Sequence, residues 1–154
     1  MDSYNIHERY MSRAIHLAKK GRGKVSPNPM VGCVIVKNGK IIGEGYHEFF
    51  GGDHAEVSAF KNCIQDPVDG AIYITLEPCS HHGKTGPCCN VIVENGIRDV
   101  YISMLDPNKE VNGKGIEYLK NAGINVQNNI LKNESESLNQ GYLHWIKTKT
   151  PLVI

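Results

Sequence analysis

Apolar positions along this 154-residue chain recur with two periods, one helical and one extended. From Ile6 to Lys20, the residues Tyr10, Met11, Ala14, Ile15, Leu17 and Ala18 share a helical face, and Gly21 and Gly23 stop the run. Val31–Val36 is a continuous β-branched segment and Lys40–Tyr46 a second strand. Asn38-Gly39 between them is a strong signal for a tight hairpin. The pattern then predicts a helix over Ala55–Ile64, with Asp53 or His54 near its N-cap, and a buried strand over Ala71–Leu76. A short helix from Cys88 to Asn95, ended by Gly96, leads to a strand over Val100–Met104. A helix over Gly115–Ala122, closed by Gly123, precedes a short strand Ile124–Val126. The last helix is expected over Asn133–Ile146, with Leu138, Tyr142, Trp145 and Ile146 on one face. One helix, a hairpin and repeated α/β units predict an α/β protein, a three-layer α-β-α arrangement around a central mixed sheet.

Composition narrows the class. The length suits one domain, read as 1–148 with a tail at 149–154. At 40% hydrophobic and 21% charged the chain is of ordinary globular composition, and a net charge of +1 gives no general attraction to nucleic acid or anionic membranes. No stretch approaches the roughly 20 apolar residues of a membrane span. The first residues, Met1-Asp2-Ser3-Tyr4-Asn5, lack the basic and apolar regions of a signal peptide, so the cytoplasm is the expected location. Five cysteines is an odd number and argues against a disulfide framework; Cys33 and Cys63 read as small buried hydrophobes.

The chemistry lies in two segments. His54-Ala55-Glu56 places an imidazole and a carboxylate two positions apart. Pro78-Cys79 and Pro87-Cys88 place two thiols after prolines, with eight residues between the cysteines. Zinc takes His nitrogen and Cys sulfur, and a catalytic site keeps one of four positions for water. His54, Cys79 and Cys88 supply three ligands, and the two thiolates balance the ion's charge. Glu56 is then a proton acceptor rather than a ligand. Two residues along a helix rotate a side chain by roughly 200°. His54 and Glu56 therefore share a site only if the helix begins between them or is distorted there. A closed structural site would need a fourth ligand, for which Cys89, His81 and His82 are candidates; adjacent Cys88 and Cys89 diverge at a helix start.

At these residues the chain resembles the cytidine-deaminase superfamily, and the stretch from Thr75 to Cys88, with its Cys-Ser-His-His-Gly-Lys-Thr core, resembles the riboflavin-pathway pyrimidine deaminases. The likeness continues through Asn28-Pro29-Met30-Val31-Gly32, Asp106-Pro107-Asn108 and Gly113-Lys114-Gly115, and departs at Gly86, where the family usually has proline. It implies a cytidine-deaminase-like fold, zinc on His54, Cys79 and Cys88, and Glu56 as proton shuttle. It also implies substrate contacts from Asn28, His47, His81 and Lys84. The implied reaction is hydrolytic deamination of 2,5-diamino-6-ribosylamino-4(3H)-pyrimidinone 5′-phosphate to 5-amino-6-(5-phosphoribosylamino)uracil and ammonia. The implied partners are that small phosphorylated pyrimidine, further copies of the chain in a homo-oligomer, and a reductase either fused beyond residue 148 or separate, with no nucleic acid and no membrane. Two competing readings are a deaminase acting on tRNA or another nucleobase, which would need a basic face, and a non-catalytic zinc module, which has no use for Glu56.

Overall fold

The protein is described by a computed structural model covering residues 5–80 and 88–152. Its first helix, α1 (Ile6–Ala18), opens on a reciprocal cap. The Asn5 side chain accepts from the Glu8 N–H, and the Glu8 carboxylate accepts from the Asn5 N–H. The α-helix ends at Ala18 rather than Lys20, and Lys19–Gly21 tightens into a 3-10 turn. Gly21 lies against the His47 backbone there, and an added Cβ would stand 2.6 Å from the His47 carbonyl oxygen.

Strands β1 (Gly32–Lys37) and β2 (Lys40–Tyr46) form the expected hairpin. Asn38 (φ 52°) and Gly39 (φ 75°) are both left-handed, as a two-residue turn of type I′ requires. Strand β3 (Ala71–Leu76) pairs antiparallel with β1, β4 (Asp99–Met104) pairs parallel with β3, and β5 (Asn125–Gln127) pairs parallel with β4. The sheet is therefore mixed, in the order β2-β1-β3-β4-β5.

Strand alternation sorts the apolar residues onto two faces. Val34, Val36 and Tyr73 pack under Met11, Ala14, Ile15 and Leu17 of α1. Cys33, Ile35, Ile72, Ile74 and Ile102 face the other way. They pack against Ala55 and Ala59 of α2 (Ala55–Lys61), Cys89 and Ile92 of α3 (Cys88–Glu94), and Leu119 of α4 (Lys114–Asn121). This is the expected three-layer α-β-α arrangement. Cys33 is fully buried, as read from the sequence, while Cys63 is half-buried at the edge of the same core.

Two helices depart from the pattern. α2 stops at Lys61, not Ile64, because the next residues are drawn to β2: the Asn62 side chain donates to the Glu44 carbonyl oxygen (2.9 Å) and the Ile64 N–H to that of Ile42 (2.9 Å). The single last helix is instead two, α5 (Lys132–Leu138) and α6 (Gln140–Thr148), broken at Asn139. The buried Asn139 amide pairs with Met30 like a strand neighbour. Its Oδ1 accepts from the Met30 N–H at 2.8 Å, and its Nδ2 donates to the Met30 carbonyl at 3.0 Å. Apolar spacing continues across that residue, but its side chain serves a tertiary contact. Among the described residues, no helix is long and apolar enough to cross a membrane.

The contact that places the site is that of α2 on β2. A Cβ at Gly43 would stand 2.6 Å from the Ala59 carbonyl oxygen, and one at Gly45 would collide with the Ala59 nitrogen and reach 2.6 Å from the Ala55 carbonyl oxygen. Both positions admit only glycine at this approach. The N-terminus of α2 is thereby held against the sheet edge, beside the C-terminal end of β3.

Candidate active site

His54, Cys79 and Cys88 come from three elements and converge. His54 is the N-cap of α2 in an extended conformation (φ −68°, ψ 160°), Cys79 follows the end of β3, and Cys88 opens α3. Their ligand atoms all lie within 4.8 Å of one another. The His54 Nδ1 stands 3.0 Å from the Cys88 sulfur, and the Cys88 N–H donates to the Cys79 sulfur at 3.3 Å. The start of α3 thus directs its polarity at Cys79, not only at its own Cys88. A zinc ion bonds sulfur at about 2.3 Å and imidazole nitrogen at about 2.0 Å. Three such donors at this mutual spacing fit it, and two thiolates offset its charge.

The ionisation of the cluster follows from that proximity. Hydrogen bonding from Cys88, with further help from His54 against the cost of burial, lowers the Cys79 thiol well below its ordinary value. Cys88 moves the opposite way, raised by hydrogen bonding to Cys79 and by burial. The thiolate form is therefore favoured at Cys79, with Cys88 as its hydrogen-bonding partner. His54 is raised, first by hydrogen bonding with Cys79. Cys89 takes no part: it is fully buried with its sulfur directed at the Pro78 and Gly115 carbonyls, and burial pushes it up to about 12.

Because α2 begins at Ala55, the spacing question for His54 and Glu56 resolves. His54 is outside the helix and Glu56 in its first turn, and both reach Cys88. Glu56 is 3% exposed, which for a carboxylate requires a purpose. Burial raises its pKa, while hydrogen bonding to Cys88 and the nearby His54 oppose that shift.

His47 is buried, and its ring meets that of His54 edge-on at 5.8 Å between centroids. Its Nδ1 donates to the Asp53 carbonyl oxygen at 2.9 Å, which leaves Nε2 to accept from the Asn28 amide at 3.2 Å. Asn28 is thus linked to the cluster through His47. A groove of about 540 Å³, lined in part by Asn28, Asn139, Tyr142 and Trp145, opens beside it. His81 and Lys84, the other two expected substrate contacts, lie outside the described residues.

Two residues that matter to the site have no assigned role in the sequence reading. Asn139 clamps Met30 and so holds the loop that carries Asn28. Glu77 is 4% exposed and accepts four backbone N–H bonds, three around the start of α4 and one from Asp106. A charged residue at the end of an otherwise apolar strand was the available signal for Glu77; Asn139 had none, because its partner is remote in sequence.

A mixed sheet carrying a His/Cys/Cys cluster and a buried glutamate defines a zinc-deaminase class. The profile of the cytidine and deoxycytidylate deaminase zinc-binding region matches residues 4–104, and the chain belongs to that family, whose metal is zinc. Within it, the chain belongs with the diaminohydroxyphosphoribosylaminopyrimidine deaminases. It is 49% identical over 142 residues to such a deaminase from Buchnera aphidicola subsp. Schizaphis graminum, an alignment covering 92% of this chain and 97% of that one. It is 51% identical over 145 residues to the riboflavin biosynthesis protein RibD of Actinobacillus pleuropneumoniae, covering 94% of this chain but 39% of the relative. The crystal structure of a Thermotoga maritima diaminohydroxyphosphoribosylaminopyrimidine deaminase/5-amino-6-(5-phosphoribosylamino)uracil reductase superposes with a TM-score of 0.91 at 46% identity, over 95% of this chain and 42% of that one. The chain spans about two fifths of the length of these last two proteins.

Proposed function

We propose that this chain hydrolytically deaminates 2,5-diamino-6-ribosylamino-4(3H)-pyrimidinone 5′-phosphate, releasing ammonia and 5-amino-6-(5-phosphoribosylamino)uracil. The observation that carries the reading is Glu56, a buried carboxylate in the first turn of the helix whose N-cap is itself a member of the three-ligand cluster. His54, Cys79 and Cys88 would hold zinc, which when bound supplies Lewis-acid activation of a water. Glu56 takes one proton from the attacking water and passes it to the ring nitrogen as the water oxygen bonds to the amine-bearing carbon; it then carries the proton of the resulting hydroxyl to the amine, the C–N bond breaks, ammonia leaves and the ring carbon becomes a carbonyl. His47, with one nitrogen committed to Asp53 and the other to Asn28, aims the Asn28 amide and leaves its oxygen to accept from a ring N–H or a ribose hydroxyl. Asn28 and His47 thus act as one substrate-orienting pair, with His81 and Lys84 assigned to the ribosyl phosphate.

The same reading places the enzyme in the cytoplasm, as a homo-oligomer, upstream of a reductase that is fused or separate. Support for the first is a set of five free thiols; support for the rest is the kinship with RibD. The deciding experiment is ammonia release from the pyrimidine phosphate, with and without a chelator. Turnover that zinc restores after chelation is the expected result. Turnover of a tRNA or free cytidine, with none of the pyrimidine phosphate, would overturn the assignment.

A further inference from the structure

We propose that Glu77 is a positioning residue for the metal site, tying the Cys79 segment to the start of α4. α4 lacks a cap of its own: its N-cap is Gly113, left-handed at φ 79° and without a side chain to offer. Glu77 supplies that cap from another part of the chain. Its Oε1 accepts from the N–H groups of Asp106 (3.2 Å) and Gly113 (3.1 Å), and its Oε2 from those of Gly115 (2.9 Å) and Ile116 (3.3 Å). An ordinary N-cap satisfies one or two such donors from a neighbouring residue. Here four donors from two segments converge on one buried carboxylate two positions before Cys79.

The segment between is clamped as well. The Glu77 N–H donates to the Met104 carbonyl oxygen at 2.9 Å, extending β3 along β4. Pro78 restricts the backbone, and its carbonyl oxygen occupies the space where a Cβ on Gly115 would stand. The Cys79 carbonyl accepts from the Cys89 N–H at 3.1 Å. Any shift of α4 is therefore passed to Pro78-Cys79, and any shift of Cys79 meets four hydrogen bonds that must break together. A preset Cys79 costs the metal nothing to arrange. Outer contacts of this kind are typically worth 10–100-fold in metal affinity. By reciprocity, binding of the ion stabilises the start of α4 by the same factor.

The inference rests on the ligand set proposed above, so the test uses zinc affinity in the wild type as its baseline. Wild type, Glu77→Gln and Glu77→Asp are loaded with zinc and titrated with a competing chromogenic chelator, while cobalt-substituted samples report the thiolate-to-metal absorption bands. Glu77→Gln keeps the shape but sets an amide donor against N–H groups. It is expected to bind zinc roughly 10–100-fold more weakly, with altered cobalt bands and a cooperative melt; Glu77→Asp is expected to fall between. A Glu77→Gln protein that is less stable yet holds zinc within about twofold of wild type, with unchanged bands, would show a merely structural role and overturn the proposal. If the variants do not fold, amide exchange in the wild type decides. The Gly113 and Gly115 amides should exchange at least about tenfold faster after zinc removal, and equal rates with and without zinc overturn the proposal. A wild type that takes up no zinc refutes the ligand assignment instead.

Discussion

Glu56 and Asn28 separate by what their loss should do. Replacing Glu56 with Gln removes the proposed proton acceptor but keeps the volume, so ammonia release should fall about 10²–10⁴-fold with zinc content still one per chain. Full activity in that variant, measured with metal analysis on the same sample, would contradict the proposed role. Asn28→Ala removes the proposed substrate hydrogen bond, worth about 1 kcal/mol. It should raise KM several-fold and leave zinc affinity alone; a fall in kcat at constant KM would count against the orienting pair. The residues of the candidate site were legible from the chain because each is an unusual type at a fixed spacing: His54 and Glu56, then Cys79 and Cys88 after prolines. Glu77 and Asn139 were not legible in the same way. Their partners are backbone groups, at Gly115 and Met30, that become neighbours only on folding.

At the scale of elements, the seating of α2 on β2 governs where His54 and Glu56 point. Gly45→Ala would force the Ala55 end of that helix off the strand. Overpacking of this kind costs roughly 1–3 kcal/mol. The variant should show a lower denaturant midpoint together with weaker zinc binding, whereas loss of stability without any change in zinc affinity would separate this packing from the site. A second contact joins α1 to the same strand: the Arg13 guanidinium holds the Glu44 carboxylate bidentately, at 2.5 and 3.0 Å. Hydrogen bonding from Arg13 lowers the Glu44 pKa below its unfolded value. Its stabilisation is therefore complete above the ordinary carboxylate range and is lost as pH falls through the folded value. Wild type should be more stable than Glu44→Gln at neutral pH by up to about 1 kcal/mol, since the pair is partly exposed. The gap should close on acidification; a gap that widens towards acid would invert the argument. The broken last helix belongs to this scale too. Periodicity passes smoothly from Leu138 to Tyr142, and Asn139, which clamps Met30, stands at the break between α5 and α6.

For the molecule as a whole, the metal is expected to contribute to folding, since its three ligands come from segments that the unfolded chain does not hold together. At free zinc a thousandfold above Kd, the stabilisation is about 4 kcal/mol. For a domain of this size that corresponds to roughly 10 °C in melting temperature. Scanning the protein with zinc and with excess chelator checks it, and coincident melts would mean that the cluster does not bind the ion in the folded state.

What the chain determines by itself is local: which segments are helices and strands, that Asn38-Gly39 turns a hairpin, and that an imidazole, two thiols and a carboxylate occur in a deaminase spacing. Those features depend on residue type and short-range periodicity. The tertiary structure decides that α2 starts between His54 and Glu56, so that imidazole and carboxylate face one point. It also decides that Cys88 lends its N–H to Cys79 while Cys89 turns into the core. The physical reason is range. Gly43 and Gly45 let a helix lie on a strand, Glu77 caps a helix that begins 37 residues later at Lys114, and Asn139 reaches back to Met30. No periodicity within the chain encodes contacts of that separation, which exist only once the sheet has brought the segments together.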